Sequence, residues 1–281
     1  EDFGQEKMEL NAFVQILSNN QAEVQGAIES ILKASEDPSY IQLLFQFLQT
    51  QECQSNLSIE KGIHITILEI IRRNWKSFND MSESSAANIY WNEVQQSEIF
   101  TQLLEILFST PYSRRENIIE CFRYIIIGSF PNNVNVAENL IQLLDEHSTS
   151  YEDVTTISNI LVFWSKACRK SYIPDEILEI VETISLEIIN RFAAFSLQID
   201  PLQSFCLLRF VSKSLKNFIK KLNSPFNCEN FDNILSALVN SLTVDDENLR
   251  EDHDFYLLKR SALNLFIELC STFFPNLAEK E

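Results

Sequence analysis

The chain has 281 residues, 45% of them hydrophobic, but only four glycines and seven prolines. Glycine supplies the positive φ angles that tight hairpins, bulges and phosphate loops need, so this composition disfavours β-sandwiches, Rossmann folds and P-loop enzymes. The net charge of −18 disfavours binding to nucleic acid or to an anionic membrane and favours a basic protein partner; the simpler alternative is that the charge only keeps an apolar chain soluble.

Apolar residues recur at helical spacing along nearly the whole chain, and no segment shows the sustained period of two that is typical of a strand. Prolines fit the helix ends, since proline is tolerated in a first turn and disfavours helix before it. The pattern predicts six pairs of consecutive helices: 9–18 with 21–36, 38–50 with 57–75, 97–109 with 113–129, 132–146 with 151–169, 174–195 with 202–222, and 228–242 with 255–274.

Six hairpins at a spacing of roughly 35–50 residues predict an all-α fold, an α-solenoid of HEAT-type helical hairpins. Each hairpin has a face too apolar to stand alone, and stacking buries that face against its neighbours. A compact bundle is the alternative, although bundles usually have shorter and more equal helices. We assign 9–78 to the first two hairpins, 79–96 to a polar connector and 97–274 to the later hairpins, in which 243–254 is an acidic connector.

The sequence offers little for catalysis or for binding a metal or cofactor. His64, His147 and His253 fall in different hairpins, and none has a second ligand at helical spacing. His64 lies in an apolar run, so we expect it in the core or in a groove. Nucleotide-binding and nucleophile-elbow motifs do not occur. We therefore predict no catalytic, cofactor-binding or metal-binding residue and no transmembrane segment.

The cysteines are far apart and form no C-x-x-C motif, and most lie inside apolar helical patterns. This usage predicts reduced core residues in a cytosolic or nuclear protein. They are Cys53, Cys121, Cys168, Cys206, Cys228 and Cys270.

Basic residues recur on the second helices of hairpins two and three. Arg72, Arg73 and Asn74 end one such helix, while Arg114 and Arg115 open the next and Arg123 follows two turns later. Together they could form a basic strip on the inner face of the solenoid that accepts an acidic partner surface. Arg72 and Arg73 could instead only complement the dipole at a helix C-terminus. Arg114 and Arg115 could instead pair with acids of the neighbouring hairpin.

Four segments carry a family resemblance through their order and spacing. They are Gln25-Gly26-Ala27 with Leu32, Asp37-Pro38 and Tyr40; Glu60-Lys61-Gly62 through Arg72-Arg73-Asn74 and Trp75; Ile125-Ile126 through Phe130-Pro131; and Val154 to Trp164 with Arg169. In these segments residues 9–170 resemble the N-terminal repeats of the importin-β superfamily of nuclear transport receptors, and the resemblance continues more weakly to the end of the chain. Two departures are Gly26, at a usual alanine position, and Asn132-Asn133-Val134, where a tryptophan commonly follows Phe-Pro.

The resemblance implies a receptor that binds the small GTPase Ran in its GTP form through the inner, second helices. Arg73 matches a basic family position on that surface and Asn74 adjoins it. Arg72, Arg114, Arg115 and Arg123 join them from helix position alone. Further implied partners are FG-repeat nucleoporins and cargo proteins of basic character, in the cytoplasm, the nucleus and the nuclear pore.

Because such arrays usually hold roughly twenty repeats, the chain is expected to be an N-terminal fragment. Two other functions remain open: a HEAT or armadillo scaffold without GTPase control, and an enzyme, which would need an unexpected polar pocket.

Overall fold

In the part of the chain that the structure describes, helices form where the apolar stripes predict them. A computed structural model describes residue 13 and residues 15–34, 39–75, 91–131, 134–198, 201–219, 231–244 and 252–273. Within these residues the regular structure is entirely helical, so the predicted all-α class is confirmed. The helices are α1 (Gln21–Ala34), α2 (Tyr40–Leu48), α3 (Gln51–Ser55), α4 (Leu57–Asn74), α5 (Glu93–Ser109), α6 (Glu116–Ser129), α7 (Asn135–Glu146), α8 (Tyr151–Lys170), α9 (Asp175–Gln198), α10 (Pro201–Phe218), α11 (Phe231–Thr243) and α12 (His253–Phe273).

Five hairpins follow one another: α2 with α4, α5 with α6, α7 with α8, α9 with α10, and α11 with α12. Helix α1 matches the second helix of the predicted first hairpin. Half of its predicted partner, 9–18, lies outside the described residues, and so do all of 76–90 in the first connector and 245–251 in the acidic one.

Two helices differ from the sequence-based prediction. Helix α5 begins at Glu93, four residues before the predicted start, because Asn92 and Gln95 form a capping box. The short helix α3 was not predicted; the Thr50 hydroxyl caps it by accepting from the Cys53 amide at 3.3 Å.

By their contacts the residues group into two compact units, Glu1–Gly128 and Ser129–Glu281. In the first unit, first helix α2 packs on first helix α5. The second helices α4 and α6 meet at Gly128, where a Cβ would lie 3.0 Å from both Cδ1 and the carbonyl oxygen of Trp75. Trp75 is buried and stacks edge-on against Trp91.

The second unit repeats this arrangement. Its second helices α8, α10 and α12 pack on one another in order, and the first helices α7 and α9 also touch. Trp164 on α8 is 1% exposed and lies edge-on to Phe130, with 5.0 Å between the ring centres. In an α-solenoid the first helices form one layer and the second helices another, and each hairpin joins the two layers. The second unit has this arrangement.

Buried polar side chains link α8 to α10. The Asn217 amide donates to the Ser165 hydroxyl at 3.0 Å, and the Arg169 guanidinium donates to the Asn217 carbonyl oxygen at 3.5 Å. Ser158 and Ser212 are also fully buried on these helices. Their small side chains allow two long helices to approach closely.

Candidate protein-binding surface

Two arginines project from the last turn of α4, where the sequence predicted a basic tract. Arg72 and Arg73 are about half exposed, and both bind Glu69 Oε1, from Nη2 at 2.6 Å and from Nε at 2.7 Å. Burial alone would raise the pKa of the Glu69 carboxyl, but the two hydrogen bonds and the positive charges of both arginines together outweigh it and hold that pKa below its usual value. Asn74 is the last helical residue and is half-buried. Two positive charges therefore share one carboxylate here.

The neighbouring second helix, α6, brings a third arginine to the same place. Arg123 donates to Glu120 at 2.9 Å and lies 5.4 Å from the ring centre of Tyr124. Tyr124 in turn interacts with the Arg72 guanidinium. We call Arg72, Arg73 and Arg123 the arginine edge, since Tyr124 connects the end of α4 to the middle of α6.

Arg114 lies at the other end of these helices, and its environment differs from the prediction. Rather than opening α6, it ends a 3₁₀ turn, Tyr112–Arg114, and α6 begins at Glu116. Its guanidinium forms an ion pair with Glu60, in the first turn of α4. Of the two alternatives considered for Arg114, pairing with an acid of the neighbouring hairpin is therefore realised, and a third of its side chain stays exposed.

Arg115 belongs to the interior of the hairpin turn. It is only 5% exposed, and its Nε donates to the Thr110 carbonyl oxygen at 2.8 Å. Its guanidinium also lies 5.9 Å from the ring centre of Phe108. Because these contacts bury it, Arg115 stabilises the turn instead of contributing to an exposed surface.

A cleft of about 550 Å³ opens beside Arg114, between hairpins two and three. His64 lines it at 3% exposure and makes no hydrogen bond to any described residue. Burial, followed by the nearby charge of Arg114, lowers the pKa of His64 to about 4, so the imidazole is neutral near pH 7. The lining residues are Leu48, Gln49, Gln54, Glu60, His64, Glu105, Ile106, Ser109, Thr110, Pro111 and Arg114.

The described residues hold no group of three side chains placed to bind a metal, and none of their helices is long and apolar enough to cross a bilayer. The described cysteines are free thiols. Burial raises the pKa of Cys53 to about 11 and also raises that of Cys121, so neither thiol ionises near pH 7. Cys270 is exposed, against the expectation of a core residue.

The structure thus brings together Arg72, Arg73 and Arg123, leaves Arg114 at a separate exposed position, and buries Arg115. Sequence reasoning did not name Glu69 as a member of the surface. Its spacing of three and four residues from the arginines on one helix could have identified it.

The fold and the arginine edge define an all-α protein of stacked helical hairpins with a charged surface on its second helices. The chain matches no protein-family profile and no curated protein. It is similar to two engineered proteins solved by the Northeast Structural Genomics Consortium, each 13% identical. The first match covers 94% of this chain and 97% of the engineered chain, with a TM-score of 0.45. The second covers 93% of this chain and 98% of the engineered chain, with a TM-score of 0.46. It is also similar to a designed armadillo repeat protein, 15% identical over 92% of this chain and 99% of that chain, with a TM-score of 0.40.

Proposed function

We propose that this chain is a protein-binding α-solenoid, and that it is the Ran-binding part of a nuclear transport receptor of the importin-β superfamily. Its arginine edge and Arg114 would contact the GTP form of Ran. The switch regions of a small GTPase are ordered by the γ-phosphate, so a receptor that binds them distinguishes GTP from GDP.

The arginine edge is the observation that carries the proposal. Arg72, Arg73 and Arg123 stand on adjacent second helices, within reach of a single partner, in a chain of net charge −18. Positive side chains in such a chain favour an acidic patch on the partner, which sets orientation and association rate. Arg73 also matches a basic position of the family that the sequence resembles.

The wider proposal follows from the same resemblance. The protein would bind FG-repeat nucleoporins and basic cargo proteins, would work between cytoplasm and nucleus, and would catalyse no reaction. Arg115 is left out of the proposed Ran-binding surface because it is buried.

Calorimetric titration of the whole chain with Ran tests the proposal. Ran loaded with a non-hydrolysable GTP analogue is expected to bind, and Ran–GDP is expected to bind at least about a hundredfold more weakly. Replacing Arg72, Arg73 and Arg123 together with glutamine removes three charges and should weaken the GTP complex at least about tenfold.

Lys33→Gln with Lys61→Gln provides the control, since both lysines are exposed and neither belongs to the arginine edge. This double variant should bind like the parent chain, and circular dichroism should show equal helicity in all variants. Equal binding of both nucleotide states would overturn Ran control and leave a scaffold without GTPase control. A GTP preference that the arginine variant keeps would overturn only the assignment of the surface.

A further inference from the structure

Charge in the second unit is separated between its two helix layers. The first helices α7, α9 and α11 carry nine acidic side chains and one basic side chain, Arg191. The second helices α8, α10 and α12 carry eight basic and four acidic side chains. The strongly negative chain therefore has a positive layer formed by consecutive second helices that pack on each other.

Three of these cations lie close together on α8 and α10. The pKa of Lys213 is lowered by desolvation and then by the charges of Arg209 and Lys166, although the lysine side chain as a whole is exposed. The two charges that lower the pKa of Lys213 therefore lie near it, Arg209 on its own helix and Lys166 on the neighbouring helix α8. We call Lys166, Arg209 and Lys213 the basic cluster.

Two of these cations make cation–π contacts with aromatic rings. Lys166 Nζ lies 4.8 Å from the ring centre of Phe163 on its own helix, and the Arg209 guanidinium lies 5.1 Å from that of Phe210. On α12, Lys259 is held in the same way over Phe255, at 4.7 Å. Contacts of this kind restrain long side chains before any partner arrives.

The cluster carries more positive charge than the described carboxylates neutralise. Arg209 is paired with Asp254 at 3.2 Å, but its buried Nε has no hydrogen-bond partner in the described part of the chain. Lys213 forms no ion pair with any described carboxylate. Lys213 follows Arg209 by four residues, so the two side chains lie on nearly the same side of α10. Lys259 follows Asp254 by five residues, is half-buried, and its Nζ already donates to the Val244 carbonyl oxygen at 2.6 Å, so it is not part of the cluster.

We propose that the second-helix face of the second unit, at Lys166 and Lys213, binds an acidic polypeptide segment of a partner protein. Packed helices lie about 8–10 Å apart, and an extended chain advances about 3.3 Å per residue. A segment that crosses α8 and α10 would therefore place a carboxylate on each of the two lysines when Asp or Glu occurs at about every third residue. The site is separate from the Ran-binding surface proposed above and does not depend on it.

A protein segment fits this face better than a nucleic acid. Phosphates repeat at every nucleotide and attract long basic tracts, whereas the basic cluster holds three cations, of which Arg209 is already paired with Asp254. The net charge of −18 also repels a polyanion of high charge density. A short acidic segment carries fewer negative charges and is therefore repelled less.

Fluorescence anisotropy with the whole chain tests this site. The probe is a labelled twelve-residue peptide with glutamate at every third position and serine between. Two matched probes serve as controls: the same peptide with glutamine in place of glutamate, and a twelve-nucleotide oligothymidine. We expect the glutamate peptide to bind more tightly than either matched probe, with an affinity that falls as salt rises from about 50 to about 200 mM.

Lys166→Gln with Lys213→Gln should weaken binding of the glutamate peptide at least about fivefold, whereas the control Lys33→Gln with Lys61→Gln should leave it unchanged. All four lysines are exposed, so both double variants should keep the helicity of the parent chain. The proposal is overturned if the glutamate peptide fails to bind, if both double variants bind it equally, or if oligothymidine binds more tightly.

Discussion

Lowering the pH from 7 to 5 is expected to destabilise this protein through one buried side chain, His64. The imidazole is 3% exposed, and its pKa falls from the ordinary 6.5 to about 4 because burial and Arg114 both disfavour its charged form. Between these two values the unfolded chain binds a proton that the folded chain does not. The stabilisation is therefore complete above pH 6.5 and is lost as the pH falls towards 4.

The size of the effect follows from the two pKa values. Linkage gives a loss of about 2 kcal/mol in the free energy of unfolding between pH 7 and pH 5. Replacing His64 with leucine removes this titration while keeping an apolar group of similar size in the cleft. Urea unfolding at both pH values, followed by circular dichroism, should show that the parent chain loses about 2 kcal/mol more than the variant.

The comparison subtracts the stability that His64→Leu loses between pH 7 and pH 5 from the stability that the parent chain loses. Because both chains contain the same carboxylates, the contribution of carboxylate titration cancels to first order. His253→Gln controls for removal of a histidine from an exposed position on α12. If the parent chain and His64→Leu lose equal stability between pH 7 and pH 5, the imidazole is not held neutral by burial and the reasoning fails.

Three further changes test the packing of the first unit, each by urea unfolding at pH 7. Gly26→Ala should stabilise α1 by about 0.5–1 kcal/mol, because nothing lies within 4 Å of the added Cβ and alanine is the better helix former; a loss of stability would contradict this. Gly62→Ala should cost at least about 2 kcal/mol, because its Cβ would meet the backbone carbonyl oxygen of Phe13; a neutral result would show that this close approach is absent. Arg115→Ala should cost about 2–3 kcal/mol through loss of its buried hydrogen bond to Thr110, and an effect below about 0.5 kcal/mol would show that the turn does not need it.

The helices were predictable because each one repeats an apolar stripe that its neighbours bury. The cores around Trp75 and Trp164 follow from the same stripes. Helix α5 started early because its cap, Asn92 with Gln95, lies in a polar segment where apolar spacing gives no signal.

The surface was harder to predict, because pairing depends on which residues meet across hairpins. Arg114 and Arg115 are adjacent in sequence and alike in charge, yet one pairs with Glu60 at the surface and the other is buried in its own turn. The 3₁₀ turn that ends at Arg114 separates their directions. Spacing along one chain segment does not reveal such a turn, so both residues entered the predicted surface together.

The polar link between α8 and α10 has a mechanical consequence. If the hairpin of α9 and α10 slid along the hairpin of α7 and α8 by one helical turn, about 5.4 Å, the buried Asn217 amide would lose its hydrogen bond to Ser165. A buried amide without that acceptor would destabilise the displaced arrangement. Intermediate displacements would be penalised in the same way, so this junction resists sliding and has one preferred register. A change in the curvature of the second unit would therefore have to arise by rotation about this contact or by adjustment at another junction.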